Sequence, residues 1–389
     1  MSKIWANSGD SHLVEPDDLF TASLPAALAA RMPRSVKDED GSHETLFIDG
    51  QEFRRRMPKA ANLLDEQGRT VQQRAPGAND MKLRLVDLDQ EGIWAELVYP
   101  SIGIWMSSIQ DPELLAAGCR ATNDWAIEYQ RFSPRYIPTA TIPLLTAEHA
   151  VAEVHRAAGL GYHAAYCSVT PSLGAPDWNF DMWHPLWAAM EETGLVVAFH
   201  IGTEAHDANS FHGGYFRGPG GALINYVETT YGGQRAVTKM IASGVFDRHP
   251  DLKVIVSEGG ATWGPFIADR LDEAYRQHWS MVRPQLRRLP SEYLFENVYA
   301  SFQHDGSAVK AMSAMGWRNV CWGSDYPHIE GTFGHTQKTL HELFDDVDEA
   351  TRRRITVGAF SELFPHVPPA PDNPAHDTPA HDASAHKED

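Results

Sequence analysis

The chain has 389 residues, of which 42% are hydrophobic, and this is enough to bury one large core or two smaller ones. Its 33 Lys and Arg residues against 52 Asp and Glu residues give a net charge of −19 at pH 7, which repels nucleic-acid phosphates and anionic lipid. Neither nucleic acid nor a membrane is therefore an expected partner.

The N-terminal residues bear on the location of the protein, and the cysteines bear on disulfides and metal sites. Residues 1–6 lack the apolar core of a signal peptide, and no stretch is long enough to span a bilayer, which predicts a cytoplasmic protein. Three cysteines, Cys119, Cys167 and Cys321, are far apart and odd in number. We expect them to be small buried side chains and not disulfides or metal ligands.

Short apolar runs alternate with longer amphipathic runs, the pattern of repeated βα units with parallel strands. The apolar runs predict eight strands: Ile4 to Ser8, Ala95 to Pro100, Ile137 to Ile142, His163 to Ser168, Leu195 to His200, Leu252 to Ser257, Val298 to Phe302 and Asn319 to Gly323. The amphipathic runs predict helices: Leu114 to Arg131, Ala147 to Ala158, Pro185 to Glu192, Gly233 to Ser243, Trp263 to Trp279, Ser307 to Met315 and Gln337 to Phe344. This order predicts an α/β fold, a (β/α)8 barrel of the TIM type with its active site at the C-terminal rim of the strands.

Two segments depart from the repeat. Residues 33–80 are mostly polar, with Asp49-Gly50 placed like a hairpin turn, and we expect an insertion after the first strand that folds over the rim. From residue 367 the chain is rich in Pro, Ala, His and Asp, a composition that cannot bury a core. The barrel domain is thus predicted to span residues 1–366, followed by a disordered tail over residues 367–389.

Histidine and aspartate follow or end three of the predicted strands. Asp10 and His12 lie two residues apart, a spacing that places both side chains on one face of an extended chain. His200 ends the fifth predicted strand, and Asp325 follows the eighth. Because a barrel brings the C-terminal ends of its strands to one rim, these side chains could converge there on one metal ion.

These residues resemble the amidohydrolase superfamily. The resemblance rests on Asp10-Ser-His12, on His200, on Gly323-Ser-Asp-Tyr-Pro-His328 and on Asp87-Leu-Asp89 before Gly92-Ile93. More narrowly, the chain is similar to the amidohydrolase-related branch, which includes aminocarboxymuconate-semialdehyde decarboxylase and resorcylate decarboxylases, from about residue 7 to about residue 365. That branch contains decarboxylases, C–C and C–N hydrolases, lactonases and metal-dependent oxygenases, so the resemblance predicts the fold more closely than the reaction.

The resemblance implies that Asp10, His12, His200 and Asp325 bind a divalent metal ion. Imidazole nitrogens and carboxylate oxygens suit zinc, our first expectation, and also iron or manganese. Such an ion lowers the pKa of a bound water to about 7 and polarises a carbonyl or carboxylate group. Asp325 could then act as a ligand and as the base that takes the proton of the water.

Glu258 departs from the pattern of the resembled decarboxylases, which usually carry His-Gly-Gly at the end of the sixth strand. This chain has Glu258-Gly259-Gly260 there. An ionised carboxylate cannot donate a proton to a developing carbanion unless burial raises its pKa. We therefore consider Glu258 as a general base, as a residue that orients a ligand, or as a ligand itself, with helix capping as the structural alternative.

His304 follows the seventh predicted strand, at the same rim as Glu258. Adding both residues to the four predicted ligands approaches the number needed for two metal ions about 3.5–4 Å apart. Members of the branch with a similar pattern include non-haem oxygenases with iron, or with iron and manganese. The alternative is that His304 hydrogen-bonds the substrate or a loop backbone.

Five further residues are candidates for binding a small-molecule substrate. Arg54 represents an arginine run in the insertion that could pair with a substrate carboxylate. His206 and His212 lie in the long loop after the fifth strand, Trp263 lies near the predicted rim, and His328 is expected beside the metal site.

The sequence favours a metal-dependent hydrolase in which metal-activated water attacks an ester, amide or C–C bond, with Asp325 or Glu258 as base and His304 stabilising the oxyanion. A non-haem oxygenase with one or two metal ions is the first alternative, and a decarboxylase of an aromatic or unsaturated acid is the second. A non-catalytic metal-binding subunit is the third. We expect a homodimer or a hetero-oligomer with a paralogue.

Overall fold

The computed structural model describes residues 2–56, 75–205, 218–328 and 330–371. The described residues contain eleven strands: β1 (Ala6–Ser8), β2 (Arg34–Lys37), β3 (His43–Ile48), β4 (Gln51–Arg56), β5 (Ile93–Val98), β6 (Tyr136–Thr141), β7 (Ala164–Ser168), β8 (Val196–His200), β9 (Val254–Ser257), β10 (Val298–Phe302) and β11 (Val320–Trp322). Eight of them form one parallel sheet in the order β1-β5-β6-β7-β8-β9-β10-β11. Each of the eight predicted strands overlaps one strand of this sheet.

Helices connect the strands of the sheet and surround it. Their bounds are α1 (Leu19–Ser23), α2 (Ala26–Ala29), α3 (Met81–Glu91), α4 (Pro112–Phe132), α5 (Ala147–Leu160), α6 (His184–Thr193), α7 (Gly221–Thr229), α8 (Tyr231–Ala242), α9 (Val245–Arg248), α10 (Trp263–Gln277), α11 (Pro290–Asn297), α12 (Gly306–Met315), α13 (Thr336–Phe344), α14 (Glu349–Arg353) and α15 (Ala359–Leu363). Among the described residues, no helix is both long and apolar enough to cross a membrane. The predicted (β/α)8 barrel is confirmed.

The sheet closes into a barrel through backbone bonds beyond the ends of β1 and β11. The amide of Gly9 donates to the carbonyl oxygen of Trp322 at 2.8 Å, and the amide of Asp325 donates to the carbonyl oxygen of Asp10 at 2.9 Å. Asp10 and Asp325 are both fully buried. Two of the predicted metal ligands therefore lie on the segments that close the barrel.

The interior of the barrel is filled with side chains. Small residues such as Ala95, Ala164 and Ala198 alternate with larger ones, and Phe360 and Phe364 belong to the same buried cluster. The predicted tail begins too early, because Val367 is only 9% exposed and lies in this cluster. Burial of its apolar side chain is favourable, and the packed domain therefore extends past residue 366. Residues 372–389 lie outside the described residues.

The predicted insertion contains an antiparallel three-stranded sheet, β2-β3-β4. The hairpin between β3 and β4 turns at Asp49 and Gly50, both with positive φ, as the sequence predicts. Leu46, Ile48 and Phe53 of this sheet are buried in one apolar cluster with residues of α4 and of the loop after β5. The sheet thus packs near the rim that carries the C-terminal ends of the barrel strands.

The helix α3 is absent from the sequence prediction, because two of its inward-facing residues are charged. Arg84 and Asp87 are buried, so charged residues occupy positions where an amphipathic helix normally has apolar ones. The guanidinium of Arg84 pairs with Glu96 of β5 and donates from Nη1 to the carbonyl oxygen of His12 at 2.8 Å. Asp87 accepts a hydrogen bond of 2.6 Å from the hydroxyl of Tyr326. A buried polar network therefore fixes the segments that follow β1 and β11.

Replacing Arg84 by Met should lower the free energy of unfolding by about 3–5 kcal/mol, because Glu96 is left as a buried charge without its cation. Urea unfolding of the two proteins measures the difference. Arg131→Met is the matched control, since Arg131 pairs with Glu128 on the exposed face of α4 and its loss should cost about 1 kcal/mol or less. Equal losses in the two variants would contradict a supporting role for the buried pair.

Candidate metal centre and adjoining cavity

Five polar side chains meet at the C-terminal rim of the barrel. Asp10 and His12 follow β1, His200 is the last residue of β8, Glu258 follows β9, and Asp325 follows β11. Four of them are at most 5% exposed: Asp10, His12, His200 and Asp325. The sheet topology therefore brings together residues that are far apart in the sequence.

The distances within the cluster match the coordination of one ion. The Nε2 atoms of His12 and His200 lie 3.0 Å apart. Asp10 Oδ1 lies 3.4 Å from Nε2 of His200, and Asp325 Oδ1 lies 3.4 Å from Nε2 of His12. With metal–ligand bonds of about 2.0–2.2 Å, neighbouring ligand atoms are roughly 2.9–3.6 Å apart. Each of these three separations thus fits two neighbouring ligand atoms of one ion.

The hydrogen bonding of the cluster also fits a metal ion. Both carboxylate oxygens of Asp10 are buried and have no hydrogen-bond donor among the described residues. Nδ1 of His200 lies 2.8 Å from the carbonyl oxygen of Ile201 and donates to it, so the Nε2 atom is the one that would bind an ion once it has no proton. Burying an acceptor atom without a hydrogen-bond donor costs free energy of folding. Carboxylate oxygens and imidazole nitrogens are suitable ligands for a divalent cation, which would remove that cost.

The electrostatics of the cluster favour positive charge at its centre. Burial raises the pKa of Asp10 and lowers the pKa of His12 well below its usual range. Burial also opposes protonation of His200, but the carboxylate of Asp10, together with that of Glu258 in its ionised form, outweighs it and raises the pKa of His200 to about 10. The same charges that would hold a proton on His200 attract a metal cation.

His328 forms a second group at the cluster. Its Nδ1 atom lies 2.8 Å from Oδ1 of Asp325, and its ring centroid lies 4.1 Å from that of His12. Ligand atoms of His12, Asp325 and His328 all lie within 4.8 Å of one another, as do those of Asp10, His12 and His200. His328 thus lies beside the predicted ligands, where the sequence places it.

Glu258 lies at the edge of the cluster. Its Oε2 atom is 3.5 Å from Nε2 of His200, and burial, followed by repulsion from Asp325, raises its pKa to about 8. Its backbone has a φ of 61°, a strained value for a residue with a long side chain, and its amide donates to Oγ of Ser301 at 3.1 Å. Backbone strain of this kind is concentrated at functional sites.

A cavity of about 380 Å³ adjoins Glu258. It lies between β9, β10 and the helices α7, α8 and α10, and its lining includes Tyr226, Trp263, Gln303 and His304. A volume of this size accommodates a substituted aromatic ring. The cluster and the cavity together form a site with a polar centre and a partly aromatic wall.

Not all predicted site residues reach the cluster. His304 is exposed, stacks on His335 with ring centroids 6.1 Å apart, and lines the cavity, so the structure places it outside both three-residue groups. Arg54 is also exposed, and its guanidinium pairs with Asp38 at 2.6 Å on the insertion sheet. His206 and His212 lie outside the described residues. Trp263, by contrast, lines the cavity.

Three residues of the site were missed in the sequence. Tyr99 follows β5, and its ring packs against that of His200 with centroids 4.9 Å apart. Its hydroxyl shares a hydrogen bond of 2.7 Å with Ser257, and Gln303 lines the cavity directly after β10. His200 and Glu258 were recognised because each is a polar residue at the end of an apolar strand. The same criterion identifies Tyr99, Ser257 and Gln303.

The model of the amidohydrolase family matches residues 85–364, more than half of the chain. The chain belongs to the amidohydrolase family. This confirms the resemblance predicted from the sequence and identifies the chain as an enzyme of that superfamily.

Curated relatives of this amidohydrolase include decarboxylases. It is 32% identical to 2-amino-3-carboxymuconate-6-semialdehyde decarboxylase of Dictyostelium discoideum over 129 residues, which are 32% of this chain and 34% of that enzyme. The match therefore spans about a third of that relative. The amidohydrolase is also 24% identical to gamma-resorcylate decarboxylase of Polaromonas sp. over 326 residues, which are 79% of this chain and 94% of that enzyme.

Solved structures share the fold of this amidohydrolase. An amidohydrolase from Mycobacterium avium subsp. paratuberculosis K-10 has a TM-score of 0.73 at 22% identity, covering 92% of this chain and 99% of the other. A dihydroxybenzoic acid decarboxylase from Polaromonas sp. JS666, solved with manganese and the inhibitor 2-nitroresorcinol, has a TM-score of 0.59 at 19% identity, covering 93% and 97%.

His200→Ala and Asp325→Asn should each lower the divalent-metal content of this amidohydrolase from about one ion per chain to less than half, because each removes a ligand atom from the polyhedron. Mass spectrometry of protein purified without a His tag and without added metal measures the content. His335→Ala is the matched control, since His335 lies outside both groups. Wild-type content in both ligand variants would contradict this assignment.

Proposed function

We propose that this amidohydrolase is a metal-dependent decarboxylase of an aromatic or unsaturated carboxylic acid. The named relatives favour this alternative over the hydrolase that the sequence analysis put first, because gamma-resorcylate decarboxylase aligns along most of the chain. The observation that carries the proposal is the position of Glu258. Its Oε2 atom lies 3.5 Å from Nε2 of His200 and its residue also lines the cavity, so Glu258 is next to both the candidate metal ligands and the space where an acid would bind.

A divalent ion held by Asp10, His12, His200 and Asp325 would bind the substrate carboxylate and withdraw electron density from it. Manganese is our first candidate, because the dihydroxybenzoic acid decarboxylase from Polaromonas sp. JS666 was solved with it. Zinc suits the same donor atoms. The metal analysis that tests the ligands also distinguishes the two ions.

Glu258 is the proposed proton donor. The bond between the carboxylate and its carbon breaks, CO2 leaves, and the electron pair that stays on the carbon takes the proton of the Glu258 carboxyl group. Glu258 then regains a proton from water. A buried carboxyl group close to two others favours its neutral form, which supports Glu258 as the acid.

Glu258→Gln should lower kcat for decarboxylation by about 100-fold or more, with little change in metal content, because the amide keeps the shape of the side chain but not its acidic proton. Release of CO2 from 2,6-dihydroxybenzoate and 5-carboxyvanillate by the metal-loaded protein is the measurement. Asp305→Asn is the control, since Asp305 lines the same cavity but is exposed.

Two results would count against this function. Full CO2 release by Glu258→Gln would remove Glu258 as the donor. Hydrolysis of ester or amide substrates by the wild-type protein, with no CO2 released from a panel of aromatic acids, would restore the hydrolase.

A further inference from the structure

Tyr99 is fully buried directly after β5 and touches several of the segments that carry the candidate metal ligands. Its amide donates to the carbonyl oxygen of Ser11 at 2.8 Å, and its own carbonyl oxygen accepts from the amide of Leu13 at 2.8 Å. These two bonds lie on either side of His12 in the sequence. The main chain of Tyr99 therefore fixes the backbone of one predicted ligand.

The ring of Tyr99 packs against the imidazole of a second predicted ligand. Its centroid lies 4.9 Å from that of His200, with the two ring planes at 65°. On the other ligand nitrogen, Nδ1 of His200 donates to the carbonyl oxygen of Ile201 at 2.8 Å. An imidazole that is bonded at one nitrogen and packed against an aromatic ring has little freedom to turn. Tyr99 and Ile201 together therefore set the direction of Nε2.

The hydroxyl of Tyr99 begins a chain of hydrogen bonds that leads towards Asp10. Oη of Tyr99 lies 2.7 Å from Oγ of Ser257, and Oγ of Ser257 donates to the carbonyl oxygen of Gly9 at 2.7 Å. Because the single hydroxyl proton of Ser257 is used for Gly9, its oxygen accepts from Tyr99. The carbonyl oxygen of Phe199 is a poorer acceptor for Tyr99, since it lies 3.4 Å away.

This chain connects two further residues of the cluster to β5. Gly9 precedes Asp10, and Ser257 precedes Glu258. Tyr99 and Ser257 are both 0% exposed, and hydrogen bonds shielded from water hold their groups more tightly than exposed ones. One side chain thus influences the backbone positions of two carboxylates as well as the orientation of an imidazole.

We propose that Tyr99 is a positioning residue of the candidate metal centre. Its ring sets the direction of the His200 imidazole, and its hydroxyl fixes the backbone before Asp10 through Ser257. The inference rests on the metal dependence of the proposed function and gives Tyr99 no contact with the substrate. Loss of a group that orients metal ligands typically weakens metal binding roughly 10- to 100-fold.

Metal binding by three variants tests the proposal. Tyr99→Phe removes the hydroxyl but keeps the ring, and it should raise the dissociation constant for Mn2+ roughly 10-fold, as measured by competition with a chelator. Ser257→Ala breaks both bonds of the chain and should weaken binding at least as much. The double variant should match Ser257→Ala, since the chain is already broken there. The electron paramagnetic resonance spectrum of bound Mn2+ should change in each variant, because it reports the arrangement of the ligands.

Tyr162→Phe is the matched control. Tyr162 is also buried, and its hydroxyl donates to the carbonyl oxygen of Asn123 at 2.6 Å, but it lies outside both three-residue groups of the cluster. Its loss should lower the unfolding temperature of the metal-free protein about as much as Tyr99→Phe does. The dissociation constant for Mn2+ and the spectrum should stay at their wild-type values, which separates positioning from a purely structural role.

Wild-type affinity and an unchanged spectrum in Tyr99→Phe would overturn the inference, and so would an equal loss of affinity in Tyr162→Phe. Independent, multiplying effects of Tyr99→Phe and Ser257→Ala would also overturn it, because the two residues would then not act through one chain. If the wild-type protein bound neither Mn2+ nor Zn2+, the metal dependence of the proposed function would fail and this inference with it. None of these measurements uses CO2 release, so the decarboxylase reaction is tested separately.

Discussion

The backbone bonds that close the barrel between β1 and β11 also position the candidate metal ligands. Asp10 offers its carbonyl oxygen to the amide of Asp325, so a backbone hydrogen bond joins the two residues. Arg84 holds this junction in place by its ion pair with Glu96 and its hydrogen bond to the carbonyl oxygen of His12. The geometry of the candidate metal centre therefore depends on closure of the sheet and on one buried ion pair.

The second constraint is the concentration of negative charge at the rim. Three carboxyl groups, those of Asp10, Glu258 and Asp325, lie around two imidazole rings in a region almost without solvent. Such a group of acids is tolerated only if cations or protons balance it. A divalent ion would balance Asp10 and Asp325, and in the proposed mechanism Glu258 at the edge of the cluster carries the proton.

Much of the fold and of the cluster was predictable because both follow from simple patterns. Apolar runs marked the barrel strands, and His200 and Asp325 stood out as polar residues where such runs end. The helix α3 was missed because Arg84 and Asp87 are buried, which no amphipathic pattern reveals. The packing of Val367 was missed because composition does not report contacts. The reaction was not predictable either, since whether Glu258 acts as acid or base depends on its burial, which only the folded structure supplies.

The closure of the barrel also has a consequence for biosynthesis. Oγ of Ser8 accepts a hydrogen bond from the amide of Ser324, a contact 316 residues apart in the sequence. The rim cannot assemble until nearly the whole domain has been synthesised, and contacts of such long range form late in folding. An ion with ligands on both sides of this junction would bind the completed barrel. By mass action it would favour that state over partly folded chains, and the amount of newly made protein that reaches its native form would then depend on the supply of metal.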